Sequence, residues 1–366
     1  MAWTPPAPRT GHPYYMYEAI HAQPEALERC LSRHREVAPL AGRALAVGRR
    51  ILVAGIGTSF HAATAGEYLF RLISGHRLDA RAVHSFELTQ YGLVEPHDAV
   101  VVVSHRGTKN FSMQALERAK AAGAFTIAIT GEGHGPTMDQ ADLVLQTVSQ
   151  EDSGAHTISY TSAVATVALL AVHASREAES TPAVTEEDLR ALPELQRHAL
   201  ALEGRCRDLA EKYAGYRRFL FAGGGPNSAT AWEVALKMKE ANYTHAEGLE
   251  MEQILHGPTS SFGPDTVVTA IAPPGPAGER AAAVLKGARA VGSPAVLLAQ
   301  EGDTSLHADA DDVVSLPAVP EPLSPLVYIV PLQLFTYYSA VTRRANPDLL
   351  HADDPAFARM RSLYRL

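Results

Sequence analysis

Short apolar runs alternate with longer amphipathic stretches through most of this chain. Arg50 to Ala54 (RILVA) predicts a strand that enters the turn Gly55-Ile56-Gly57-Thr58-Ser59, and His61 to Ile73 predicts the helix after it. Val100 to Ser104 predicts a second strand, whose continuous valines suit burial on both faces. Phe111 to Ala122 predicts a helix, Phe125 to Thr130 a strand, Leu143 to Thr147 a weaker strand, and Ser159 to Ala174 an apolar helix. Strands alternating with helices at this spacing imply an α/β fold with a parallel sheet covered on both faces. The segment before Arg50 predicts helix, with leucines set among charges from His21 to Arg35.

The plan then repeats. Glu177 to Glu194 is acidic, holds Pro182 and Pro193, and predicts a linker; Leu195 to Lys212 predicts a charged helix. Arg217 to Ala222 predicts a strand that enters Gly223-Gly224-Gly225-Pro226-Asn227-Ser228, with a helix running to about Asn242. Val267 to Ala272, Ala281 to Val291, Ala295 to Ala299 and Val313 to Leu316 continue as strand, helix, strand and strand. Each half reads as apolar strand, glycine turn with a hydroxyl residue, then helix, which implies an internal duplication. The 366 residues suit two domains. The expected division is a helical segment over 1–45, a first domain over 46–194, a second over 195–345 and a tail over 346–366.

Composition narrows the function classes. Hydrophobic residues make up 46% and charged residues 20%, a globular balance. The formal net charge is -8 with no dense Lys/Arg stripe, so no nucleic-acid partner is expected. Two cysteines, Cys30 and Cys206, exclude a disulfide framework and fit a reducing cytoplasm. Met-Ala-Trp-Thr-Pro-Pro lacks a basic region followed by an apolar core, so no signal peptide is expected. Leu323 to Val341 is long and apolar but holds Pro325 and Pro331 with scattered Ser, Gln and Thr. It predicts a buried helix and no membrane partner.

Gly-x-Gly after a strand lets backbone approach an anion at a helix N-terminus. Here Phe60 stands where the dinucleotide spacing needs a third glycine, and Gly57 is followed instead by the hydroxyls of Thr58 and Ser59. The next strand ends in Ser104-His105-Arg106-Gly107-Thr108-Lys109. Thr58 and Ser59 could simply cap a helix, with Arg106 and Lys109 solvated. Their occurrence together at two strand ends favours an anion pocket at the carboxyl edge of the sheet. In the second half, Glu233, Lys237 and Glu240 are spaced i, i+4, i+7 and share a helix face, and His256-Gly257-Pro258 follows. A surface ion pair is the plainer reading of that face. His245 and Glu247, two apart, do not make a common metal-ligand spacing, and no metal or cofactor is expected.

The chain from about residue 45 onward resembles the sugar isomerase (SIS) family, specifically its aminotransferase-linked isomerase members. The resemblance is carried by the Gly57-Thr58-Ser59 turn, the Ser104 loop, Glu233 to Glu240, His245-Ala-Glu247 and His256-Gly-Pro258. It implies two tandem SIS domains, each a doubly wound, flavodoxin-like parallel sheet flanked by helices. It implies a sugar phosphate held by Gly57, Thr58, Ser59, Ser104 and neighbours, with Glu240 as the base moving a proton between C1 and C2. Glu233 and Lys237 would line the site and handle hydroxyl protons. His256 would assist ring opening or protonate a sugar oxygen from a second subunit, making a homodimer with the active site at the subunit interface and the tail closing over it. The residues suit that chemistry independently, because aldose–ketose interconversion needs one positioned carboxylate and one acid near the carbonyl oxygen.

Three departures shape the expectation. No glutaminase segment or leading cysteine is present, so glutamine-dependent amide transfer is not expected. The loop offering His105, Arg106, Thr108 and Lys109 is more cationic than the family's Ser, Gln and Thr. The family's terminal Schiff-base lysine has no counterpart in Asp353 to Met360; Lys286 is the last lysine, and Arg359 stays protonated and cannot form an imine. The expected functions are a phosphosugar aldose–ketose isomerase or an amino-sugar-phosphate deglycase or deaminase, the last pair mildly favoured. A non-catalytic sugar-phosphate sensor is the alternative.

Overall fold

The valine run becomes the middle strand of a five-stranded sheet. The structure, a computed structural model, describes Thr4, residues 6–47 and residues 50–364. Met1, Ala2, Trp3 and Pro5, on which the leader reading partly rested, lie outside the described residues. So do Gly48 and Arg49 of the expected first domain and Arg365 and Leu366 of the expected tail. The first sheet comprises β1 (Ile51–Gly55), β2 (Ala80–His84), β3 (Ala99–Val103), β4 (Phe125–Thr130) and β5 (Leu143–Gln146), in the order β2-β1-β3-β4-β5. Every pairing is parallel, with Val53 beside Val101 and Val101 beside Ile127. All five residues of β3 are buried, as a central parallel strand covered by helices requires.

The second sheet comprises β6 (Arg218–Gly223), β7 (His245–Glu250), β8 (Thr266–Ala272), β9 (Ala295–Gln300) and β10 (Asp312–Leu316), ordered β10-β9-β8-β6-β7 and again parallel throughout. Read from β7, that is the first sheet's order, so the duplication extends to topology. By internal contacts the chain divides into two units. One holds Ala22–Pro193 with the residues up to Pro8 and from Leu349; the other holds Arg9–His21 and Glu194–Asp348.

In the first unit two helices meet closely because a glycine stands where they cross. A Cβ on Gly42, in the Ala38–Ala46 helix, would come within 2.8 Å of the His173 backbone in the Ile158–Glu177 helix. That latter helix is long and apolar enough to cross a membrane by length and composition, yet it is buried from Ile158 to Ser175 in the first unit. In the second unit the Ser324–Thr342 helix, expected from the long apolar stretch, is buried from Ser324 to Ala340. It packs on the Glu203–Lys212 and Asn227–Ala241 helices.

The structure departs from the sequence reading at β2 and β7, which were not expected as strands, and in the expected linker. β2 and β7 are the equivalent edge strands, and their side chains are mostly half-buried or exposed, so neither shows an apolar run. The proposed linker is partly helical: a helix occupies Glu186–Leu200, carries Pro193 within it, and is separate from the Glu203–Lys212 helix. Its first turn is anchored by Arg176, whose Nη1 donates to Glu186 at 2.7 Å.

Candidate functional site

In a sheet ordered β2-β1-β3-β4-β5 the direction of winding reverses between β1 and β3, and the loops beyond those two strands open a crevice. Both loops singled out in the sequence lie there. Beyond β1, Gly55 sits so tightly that a Cβ would fall 2.3 Å from the Ser59 carbonyl oxygen. Gly57, at φ 57°, then turns the chain into the Thr58–Ile73 helix. Thr58 and Ser59 are the first residues of that helix. The N-terminus of that helix therefore lies beside the loop of Ser104 to Lys109 that leaves the neighbouring strand β3. Lys109 is the N-cap residue of the following helix, Asn110–Ala121.

The hydroxyls of Ser59, Ser104 and Thr108 and the Lys109 ammonium make no hydrogen bond or ion pair with any described residue. Burial lowers the Lys109 ammonium from the ordinary lysine range, and nearby Arg106 lowers it further. Burial likewise lowers the Arg106 guanidinium, with Glu151 acting against it; arginine nonetheless stays charged. His105 is placed differently. Its ring nitrogens are out of solvent without partners, and its ring packs edge-on to His156 at 5.4 Å. Burial, reinforced by His156, pushes it down to about 3, so it supplies no positive charge at neutral pH. The cationic character of the loop rests on Arg106 and Lys109.

Glu151 is a neighbour that the sequence reading did not single out. This buried carboxylate accepts from the Thr157 and Ser159 backbone N–H groups, both at 2.9 Å, and from the Ser159 hydroxyl. It thereby caps the Ile158–Glu177 helix, and it is the acid acting on both Arg106 and His105. The polar run Gln150 to Thr157 between a strand and an apolar helix was the available signal.

In the second unit, Glu233, Lys237 and Glu240 share one face of the Asn227–Ala241 helix, as the spacing predicts, but that face is not a solvated surface. Glu233 and Lys237 are 0% and 1% exposed, and their oxygen and nitrogen lie 3.4 Å apart. Lys237 also donates to Glu240, whose side chain is 22% exposed. An ammonium is thus held between two carboxylates, one enclosed and one reaching out. His256 lies apart on an exposed loop, where Nε2 pairs with Glu252 at 2.9 Å; Arg280 holds Glu252 from the other side. His245 and Glu247 belong to edge strand β7, and Gly248 between them and the helix allows close contact, since a Cβ there would lie 2.4 Å from the Ala231 oxygen. Among the described residues no group of three or more His, Cys, Asp or Glu could hold a metal ion.

Two doubly wound units with the same strand order, each opening a crevice at its point of reversal, define a duplicated flavodoxin-like α/β protein. The chain belongs to the SIS domain family, which matches residues 44–174 and 212–343. It is 31% identical over 354 residues to the glutamine–fructose-6-phosphate aminotransferase (isomerizing) of Thermococcus kodakarensis. The match covers 95% of this chain and 58% of that relative, so this chain spans little more than half its length. The C-terminal domain of glucosamine-fructose-6-phosphate aminotransferase from Francisella tularensis superposes with a TM-score of 0.83 at 20% identity, covering 94% of this chain and 99% of that one. A glucosamine-6-phosphate deaminase from Thermotoga maritima gives 0.72 at 20% identity, covering 92% and 97%. At such identities these structures speak for the fold alone.

Proposed function

We propose that this chain is an enzyme that moves a proton between C1 and C2 of an amino-sugar 6-phosphate and releases the amine. The observation that supports it most is the enclosed Glu233–Lys237–Glu240 stack. Two carboxylates around one ammonium leave one negative charge, which complements a substrate amine better than a neutral hydroxyl. Glu240, the member that reaches out, acts as the base. It takes the proton from C2 of the open aldose and returns it to C1, giving a ketimine. Water then adds to that imine, and ammonia or an alkylamine leaves, with the ketose phosphate as the other product. Glu233 pairs with Lys237 and orients it; Lys237 gives a proton to the C1 oxygen as it becomes a hydroxyl and takes back the proton that the amine nitrogen releases in forming the imine. The phosphate is held by Gly57, Thr58, Ser59, Ser104, Arg106, Thr108 and Lys109. The exposed His256 serves ring opening in a second copy of the chain, which makes the active form a homodimer, and the tail from residue 346 closes over bound sugar. The relative and the neighbour named above act, by their names, on fructose or glucosamine 6-phosphates.

The test follows deuterium entry at C1 and C2 by NMR, with ammonia release, over hexose, ketose and amino-sugar 6-phosphates in D2O. Exchange with amine release is expected, falling about 10²–10⁴-fold in Glu240→Gln. Exchange without amine release on any amino sugar would turn the reading to an aldose–ketose isomerase. A sugar that binds without any exchange would leave a sensor.

A further inference from the structure

The two repeats carry the same crevice with opposite equipment. In the second sheet the winding reverses between β6 and β8, so a crevice opens beyond Gly223 and Ala272. Gly225 stands two residues past the strand-ending glycine, as Gly57 does, and its φ is 54° against 57°. The next loop differs. Where β3 is followed by Ser104 to Lys109, β8 is followed by Pro273-Pro274-Gly275-Pro276. Those prolines have no N–H to offer an anion, and the loop carries no hydroxyl or cation.

A carboxylate stands there instead. A Cβ on Gly275 would meet Oε2 of Glu321 at 3.0 Å, and one on Gly225 would meet Oε1 at 3.7 Å, so the group lies over both glycines. It makes no hydrogen bond or ion pair with any described residue, and burial raises its carboxyl from the usual range. Its position is built into the fold. Asn227, first residue of its helix, donates from Nδ2 to the Ser324 hydroxyl at 2.7 Å, and that hydroxyl donates to the Glu321 carbonyl at 2.7 Å. Leu323, fully buried, anchors the same Glu321–Leu323 turn.

We propose that Glu321 closes the second repeat to anions: its carboxylate, carried on an anchored turn, stands where the duplicated fold would otherwise admit a phosphate, and so confines phosphate to the first repeat. A like charge in a partly desolvated crevice repels an incoming phosphate at close range. The assignment of phosphate to the first crevice rests on the function proposed above; the closure of the second does not.

Equilibrium dialysis with radiolabelled inorganic phosphate tests the closure on the full chain. Glu321→Gln removes the charge at nearly constant shape. It is expected to bind one phosphate per chain more than the unaltered protein, and to keep that phosphate when Arg106→Ala and Lys109→Ala are added. Glu321→Ser supplies the same comparison should the glutamine variant fail to fold, with circular dichroism as the check. No added phosphate in a folded variant overturns the proposal, because the proline loop would then suffice. An added phosphate that disappears with Arg106→Ala and Lys109→Ala also overturns it. The count is a difference between variant and unaltered chain, so it reads the second crevice even if the first binds nothing.

Discussion

Lys109 shows what a single side chain would add to the proposed anion crevice. Its ammonium is lowered from 10.5 by burial and by Arg106, so it gives up its proton at a lower pH than a solvated lysine. The cationic form binds the anion, and therefore phosphate affinity is full below the lowered value and falls as pH rises through it. Arg106 stays charged throughout, and His105, neutral above about 3, titrates far below this range. On the alkaline side of neutrality, where phosphate itself is already dianionic, affinity is expected to fall roughly 10-fold before the ordinary lysine range is reached, the scale of one charged hydrogen bond. Lys109→Arg should hold affinity across that range, and Lys109→Met should be weak throughout and flat. Dialysis at successive pH values reads this; a wild-type curve as flat as the methionine variant's would remove Lys109 from the site.

At the scale of elements, the enclosed Asp312 joins a strand to a helix. It opens β10 and accepts from Arg205 at 2.7 Å, from Lys212 at 2.5 Å and from the Tyr213 hydroxyl, all on or just after the Glu203–Lys212 helix. Burial alone would raise this carboxyl, but hydrogen bonds from Lys212, Tyr213 and Arg205 outweigh it and hold the group below its usual range. A depressed carboxyl stabilises the fold above its unfolded pKa, and that stability is lost as pH falls through the folded value. Asp312→Ala leaves Tyr213 without its acceptor and two cations unpaired. The two cations are 39% and 51% exposed and stay solvated, so the cost is mainly the buried Tyr213 hydroxyl left without its acceptor, about 1–3 kcal/mol. Denaturant unfolding at neutral pH should show this loss, and it should shrink on acidification; a change below about 1 kcal/mol would make the network incidental.

The same scale explains what could be read from sequence. Central strands β3 and β8 are covered on both faces, so burial itself wrote apolar runs into Ala99–Val103 and Thr266–Ala272. Edge strands β2 and β7 carry ARAVH and HAEGLE, and nothing in either distinguishes an edge strand from a loop. The glycine turns and the Ser104 loop stood out because small residues and donors cluster there in sequence. That Lys237 is enclosed was not, since i, i+4 charges look alike on a surface and in a core. Glu151 and Glu321 were missed for a further reason: each acts on a crevice from a distant stretch of chain, and only folding brings it there.

At the scale of the whole molecule, duplication supplied two copies of one crevice, and sequence divergence gave them different charge. The chain is acidic overall, at -8, so the Arg106–Lys109 loop is a local exception rather than part of a basic surface. A ligand held there stabilises the folded chain by RT ln(1 + [L]/Kd), about 2.7 kcal/mol at one hundred times Kd. Glucosamine 6-phosphate at that excess should raise the melting transition by several degrees. Glu240→Gln should keep most of that shift, because the phosphate contacts are untouched and the sugar is not consumed, while the charge facing the amine is lost. Arg106→Ala with Lys109→Ala should lose most of the shift while keeping its ligand-free transition. These two variants separate holding from chemistry: a shift that survives loss of both cations would move the phosphate elsewhere. A shift lost in Glu240→Gln would make Glu240 a binding group rather than the base.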